Sequence, residues 1–340
     1  MIVYVVTARF STTIQRLIHG LGAEASGLLS YITYEEMFFE RATPLAHHIF
    51  TDFDRLSRYE LDCAATVALR LQAQAPEIRI LNHPLHALER VPLLHKLNMQ
   101  GVNDFAVQRL DTGARPTKYP AFLRAEDGYG GPETGILQSD AEFDDAIAQM
   151  RRNGRALKGR IAVGYVGEPD ERGFYRKYGA FNVGGAIVPQ HLMRSEQWVV
   201  KKNSAAIGPA EAEEELDFIR RNPHADHLAN VFRIGGLDFG RVDYGFHQGR
   251  LQVYEINSNP SFPDFAKSDG RSERRPLIRE RFVSALRAIN TPHRRGRVGF
   301  PEIRPRAHDL HLPRGRLPFS LGRYLLDRVT GRAQHSKEEH

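Results

Sequence analysis

The sequence predicts an α/β protein in which a mainly parallel strand–helix unit precedes a larger region of antiparallel hairpins and helices. Three observations lead there. Over residues 1–90, short apolar runs alternate with stretches whose apolar residues recur at helical spacing, as in a chain wound around a parallel sheet. A strand-like segment at 119–125 runs into a loop holding Gly128, Gly130, Gly131 and Gly135. Residues 241–260, RVDYGFHQGRLQVYEINSNP, read as two strands joined by a tight turn at His247-Gln248-Gly249, with Gly249 where a left-handed residue is favoured.

Taken in order, residues 2–6 form an apolar strand, 12–21 a helix closed by Gly20 and Gly22, 28–33 a second strand and 48–53 a third. Residues 56–74 place Leu61, Ala64, Ala65, Ala68, Leu69 and Leu71 at helical intervals, and 78–81 is a strand that stops at Asn82-His83-Pro84. The helix expected at 87–99 presents Leu88, Val91, Leu94 and Leu97 and ends at Gly101. Ser139 or Asp140 caps a helix over 139–151, 161–166 is a strand, and 174–181 pairs with 185–189 around Val183-Gly184-Gly185. An acidic helix begins near Ala210, its early glutamates suited to a helix N-terminus, and a helix over 276–289 closes the body.

Composition narrows the class. With 340 residues and 41% apolar content, the chain can hold two or three subdomains. Its one cysteine, Cys63, lies in an apolar helical run; it reads as packed rather than reactive and fits a reducing, cytoplasmic setting. The first ten residues lack the basic start of a signal peptide, and no window approaches the ~18 continuous apolar residues of a membrane span. The formal charge of +6 lies wholly within residues 291–340, a basic tail rich in Arg and Pro. Such a tail can touch nucleic acid, membrane phosphates or an acidic partner, but a solvated arm along the body is the favoured reading. His47, His48, His83 and His86 show no zinc-like spacing.

The chemistry concentrates in residues 241–260. Counting back from a three-residue turn, Phe246 opposes Arg250, Asp243 opposes Val253 and Arg241 opposes Glu255. Side chains alternate along a strand, so Arg241, Asp243, Glu255 and Asn257 share one face, while Val242, Tyr244, Phe246, Tyr254 and Ile256 form a core face. Two carboxylates and an amide oxygen suit Mg²⁺, which takes hard oxygen ligands and commonly shares them with phosphate oxygens. Arg241 could reach a phosphate in transfer. An ordinary surface hairpin is the competing reading. The glycine-rich loop offers backbone N–H groups that could cradle phosphate oxygens, or is simply a mobile turn.

R-x-D at 241–243 followed by E-x-N-x-N-P at 255–260 resembles the metal-binding end of the ATP-grasp superfamily, and three further stretches extend the resemblance over roughly residues 80–265. It implies an ATP-grasp fold: an N-terminal parallel α/β domain (1–90), a small lobe with the glycine-rich loop (91–163) and a C-terminal lobe with the Mg²⁺ site (164–290). The two lobes would clasp ATP, and the tail (291–340) would lie outside them. By the same resemblance, Asp243, Glu255 and Asn257 hold Mg²⁺ between the ATP phosphates. Arg241 steadies an acyl phosphate or its tetrahedral successor, and Asn259 has a substrate or structural role. Lys96 would approach an ATP phosphate, with a solvent-facing helix lysine as the equal alternative. Arg124 stands where the family usually has lysine, and Gly128, Gly130 and Gly131 would fold over the β and γ phosphates. The backbone of Tyr165 and Val166 would bond the adenine edge. Gly164 replaces the usual acidic residue there, and Glu168 is the nearest carboxylate for the ribose. Gly179 stands where a basic residue is frequent. That leaves Lys177, on the same face, for the γ-phosphate or a substrate carboxylate, or as an exposed strand lysine.

Three functions stay open. The favoured one is an ATP-dependent ligase that joins a carboxylate to an amine or short peptide through an acyl phosphate and releases ADP and phosphate. The alternative is a small-molecule kinase on the same scaffold. A nucleic-acid-binding module using the tail is disfavoured, because the site residues are complete and no nucleic-acid motif is present. The oligomeric state is left open.

Overall fold

The computed structural model describes residues 1–22, 27–128, 130–201, 208–263, 265 and 273–304. The N-terminal unit comprises β1 (Ile2–Val6), α1 (Thr12–Leu21), β2 (Leu29–Thr33), α2 (Tyr34–Glu40), β3 (Ala42–Pro44), β4 (His47–Phe50), α3 (Arg58–Gln74) and β5 (Ile80–Leu81). Its sheet has the order β2-β1-β4-β5, and each pairing in it is parallel. The third strand ends at Phe50 rather than at 53, because Asp52 is left-handed (φ 58°) and Phe53–Arg55 forms a short 3₁₀ turn. Helix α2 is absent from the expected elements although its start is legible. Thr33 accepts from the Glu36 N–H and Glu36 accepts from the Thr33 N–H, a reciprocal cap. Cys63 is buried on α3, as expected.

The middle of the chain supplies α4 (Arg90–Met99), β6 (Val107–Arg109), β7 (Ala121–Ala125), α5 (Asp140–Arg152) and β8 (Arg160–Gly164). The strands make an antiparallel sheet, β6-β8-β7. Leu110, Leu123, Leu137, Phe143, Met150 and Ala162 form a small core of their own between this sheet and α5. Helix α4 instead packs Val91, Leu93, Leu94 and Leu97 into the large core.

The remaining elements are β9 (Tyr175–Val183), β10 (Ala186–Ser195), α6 (Pro209–Arg221), α7 (Ala225–Gly235), β11 (Phe239–His247), β12 (Arg250–Asn257), α8 (Arg274–Ile289) and β13 (Arg297–Gly299). Here the sheet is antiparallel with order β10-β9-β11-β12. It shares the large core with the N-terminal sheet: Phe239 meets Tyr4 edge-on at 5.6 Å, and Phe181 meets Phe282 of α8 at 5.4 Å.

Buried amides fix this seam. Asn82 donates to the carbonyls of Phe50 (3.0 Å) and Phe239 (2.8 Å) and accepts from the N–H groups of Asp238 and Phe239. Asn259 accepts from the Tyr4 hydroxyl and donates to Asp52, both at 3.0 Å, which is the structural form of its expected role. Strand β13 pairs with β3, and Val298 and Phe300 are fully buried. The first part of the basic tail therefore belongs to the N-terminal unit. Residues 305–340, with the short amphipathic segment at 321–329, lie outside the described residues. Among the described residues no helix is long and apolar enough to cross a membrane.

Candidate active site

Strands β11 and β12 turn on Gln248 and Gly249, both left-handed (φ 49° and 74°). This is a two-residue turn whose twist matches that of the strands. The register is therefore not the one counted from a three-residue loop: Phe246 pairs with Leu251. A bulge at Tyr254 then shifts the pairing once more, so that Asp243 faces Glu255 and Arg241 faces Asn257. Asn103 pins the bulge, donating to the Val253 carbonyl and accepting from its N–H. The four polar side chains share a face, as expected, although by a different register. Tyr254 leaves the expected core face; a Cβ on Gly245 would lie 3.1 Å from its Cζ. Val253, fully buried, takes the core position instead.

That face looks into a cleft of about 300 Å³ between the three-stranded and four-stranded sheets. One end is aromatic: Trp198 packs on Phe122 (5.1 Å) and Tyr165 (5.4 Å). The other end is ionic. Asp243 accepts from Arg241 Nε at 2.8 Å and Lys177 Nζ at 3.0 Å, and Arg90 pairs with Glu255. Burial pushes the Asp243 carboxyl up, but Arg241 and Lys177 more than reverse this and hold it at about 2. Burial, helped by Arg90 and opposed by Glu255, pulls the Arg124 guanidinium down to about 10. Cations are thus concentrated at one end and ring faces at the other, an arrangement that suits an anion carrying an aromatic base.

Of the residues singled out in the sequence, Arg124, Gly131, Tyr165, Val166, Glu168, Lys177, Arg241, Asp243 and Glu255 line this cleft. Asn257 lines a small adjoining pocket that also contains Glu255, and its Oδ1 accepts from the Asn259 N–H at 3.0 Å. Gly128 and Gly130 lie beside the cleft rather than on its wall. Their carbonyls accept from Arg124 (3.4 Å) and Lys201 (2.8 Å). The Tyr165 N–H is taken by the Pro120 carbonyl at 2.8 Å, which leaves the Tyr165 carbonyl and the Val166 backbone without a backbone partner among the described residues. Glu168 accepts from the Gln248 N–H at 2.7 Å and so caps the hairpin turn.

Of the two readings of Lys96, the structure matches the solvent-facing helix lysine: the residue is exposed on α4 and does not line the cleft. Its Nζ donates to the Ile234 carbonyl at 3.1 Å and ties α4 to the end of α7, away from the cleft. The cation that α4 brings to the cleft is Arg90, six residues earlier and about 120° around the helix. Sequence reasoning missed Arg90, and also Trp198 and Lys201, which line the cleft from an irregular segment with no motif. It also missed His191, which lies opposite Gly179 and is held neutral by burial and the neighbouring Arg241.

Two facing carboxylates and an amide oxygen make a hard-oxygen donor set. Such oxygens are the ligand type that Mg²⁺ takes, commonly together with phosphate oxygens and water. Among the described residues no group of three His, Cys, Asp or Glu is placed to hold a metal ion by itself.

No protein-family model matches this sequence, and no curated protein matches it significantly. Solved structures do match. The ATP-grasp ligase PsnB complexed with a minimal precursor superposes with a TM-score of 0.51 at 13% identity, covering 85% of this chain and 99% of that one. PsnB with a phosphomimetic variant of the minimal precursor, Mg and ADP gives 0.50 at 13% identity, covering 85% and 98%. D-alanine–D-alanine ligase from Bacillus anthracis complexed with ATP gives 0.45 at 11% identity, covering 85% and 99%. At these identities the likeness is one of fold.

Proposed function

We propose that this chain, which has the ATP-grasp fold, is an ATP- and Mg²⁺-dependent ligase that joins a carboxylate to an amine through an acyl phosphate. The observation that carries the reading is the row in which Asp243 faces Glu255, with Arg241 facing Asn257 behind it, at the cationic end of a cleft whose other end is aromatic. In this reading residues 91–163 and 164–290 are the lobes that enclose the nucleotide. Residues 1–90 would border the acceptor, and 291–340 would be an appendage whose start packs on the first unit.

Bound Mg²⁺ would neutralise the phosphates and polarise the phosphoryl group being transferred. Asp243, Glu255 and Asn257 are the residues that would hold it. Arg124 and Lys177 offset the charge of the phosphates. Trp198, Phe122 and Tyr165 pack the base, and the Val166 backbone reads its edge. A carboxylate oxygen of the first substrate attacks the γ-phosphorus while the bond to ADP breaks. The amine then attacks the acyl carbon, phosphate leaves with the C–O bond pair, and the amine's surplus proton goes to water. Arg241 is placed to stabilise the oxyanion in between. None of these steps needs a protein nucleophile.

Trp198 is the chain's single tryptophan, so its emission reports nucleotide binding directly. Mg·ATP is expected to change that emission, and ADP release is expected to need both a carboxylate and an amine. With ¹⁸O in the carboxylate, one label should appear in the released phosphate. A phosphorylated acceptor with no free phosphate would instead identify a kinase.

A further inference from the structure

His191 holds a position that the mechanism above does not use. On the site face of the four-stranded sheet one row runs His191, Gly179, Asp243, Glu255 across β10, β9, β11 and β12. Strand β10 has an irregularity between Pro189 and His191, and the imidazole lies over Gly179. A Cβ on Gly179 would be 2.5 Å from His191 Nε2, so the ring fills the space that a side chain at 179 would need. The residue is only 4% exposed, and its Nε2 has no hydrogen-bond partner among the described residues.

A buried polar atom without a partner costs about 1–3 kcal/mol, and such an atom calls for an explanation. Its surroundings supply one. Arg241 and Lys177 flank the same row and already share Asp243 between them. Two cations beside one carboxylate leave an excess of positive charge, which draws in an anion. A neutral imidazole N–H beside them adds a directed donor without adding charge. Glu255 sits at the far end of the row, so His191 lies on the side of Asp243 away from the second carboxylate.

We infer that His191 is a substrate-binding residue, its Nε2 donating to an oxygen of the oxyanion that Arg241 and Lys177 attract. The inference rests on the ligase reading for the source of that oxyanion, either the carboxylate to be activated or the phosphoryl group in transfer. Gly179 is then required because any side chain there would displace the ring.

The test compares wild type with His191→Gln, whose amide N–H can reach the place of Nε2, and His191→Phe, which keeps the ring shape without a donor. Inorganic phosphate and acetate are titrated with and without Mg·ADP, and binding is read from the broadening of their own ³¹P and ¹³C resonances. Thermal melting checks that each variant is folded. Mg·ADP is expected to bind all three alike. The oxyanion is expected to bind about tenfold more weakly to His191→Phe, the loss of roughly one hydrogen bond, and within about threefold of wild type to His191→Gln. Phosphate alone as the responder identifies the phosphoryl group, and acetate alone the substrate carboxylate. Equal binding by all three proteins overturns the inference. So do equal losses in both variants, which would make His191 a packing residue, and so does a wild type that binds neither probe. Failure of Mg·ADP to bind the wild type would sink the ligase reading instead, and the titrations without nucleotide would still decide His191.

Discussion

Replacing Asp243 by asparagine keeps the side chain's shape and removes its charge, and the geometry says what that charge is worth. Asp243 is 3% exposed, with Arg241 Nε at 2.8 Å and Lys177 Nζ at 3.0 Å. Those cations hold its carboxyl at about 2 against an ordinary 3.8, despite burial pushing the other way. At 1.36 kcal/mol per pH unit, this depression is worth about 2 kcal/mol of folding stability. The sign follows from the depressed value: the contribution is complete above pH 3.8 and is lost as pH falls toward 2. Asparagine also leaves two cations facing a neutral amide. A fully buried broken pair costs about 3–5 kcal/mol, but the cations keep some contact with the cleft, so about 2–3 kcal/mol is expected here. Urea unfolding of wild type and Asp243→Asn at pH 7, 5, 4 and 3 measures it. The variant should be less stable by that amount at pH 7, and the gap should narrow below pH 4. A gap absent at pH 7, or unchanged at pH 3, refutes the ion-pair account. The same variant tests the metal role separately. Metal-free ADP should bind it at least as well as wild type, because the cleft has become more positive, while the gain in affinity from adding Mg²⁺ should disappear.

Other outcomes follow from particular contacts. Lys96→Met should leave Mg·ADP affinity unchanged, whereas Arg90→Met should weaken it by about tenfold, the worth of one charge-assisted contact; Trp198 emission reads both. Glu89 is pushed up to about 7 by burial first and then by Asp127 and Asp54. With its folded value raised, its contribution is complete below about pH 4.5 and is lost as pH rises through 7. Glu89→Gln should therefore raise the melting temperature relative to wild type at pH 8 and not at pH 5. Gly236 and Gly249 are both left-handed, at φ 62° and 74°, but a Cβ on Gly236 would sit 2.9 Å from the His86 carbonyl carbon while Gly249 faces open space. Alanine should cost about 1–2 kcal/mol at Gly249 and about 1–3 kcal/mol more at Gly236, checked by urea unfolding.

The fold was legible where local pattern and tertiary packing agree, and the site where polar residues recur at strand spacing. The apolar run at β1 and the helical spacing of α3 each state their element, because burial acts on the same residues that set the period. Asp243 and Glu255 share one face both in the register expected from a three-residue turn and in the one observed. The turn is one residue shorter than expected and the bulge at Tyr254 adds one back, so two local departures bring the same four side chains together. Neither departure is encoded near the hairpin alone: the bulge is held by Asn103, 150 residues distant. Which of the two readings of Lys96 holds was undecided in the sequence for a related reason. A motif fixes which residue types are present, but the angle around α4 fixes which of them faces the cleft, and that angle depends on the packing of Leu93, Leu94 and Leu97 in the large core. Arg90 supplies the cation in its place. The same exchange occurs at Gly179, where the space over a strand glycine is filled by His191 from the neighbouring strand. In both cases a side chain from another position occupies space that the motif position leaves open. A site on this scaffold is therefore better sought by the volume that the side chains reach than by the positions from which they start.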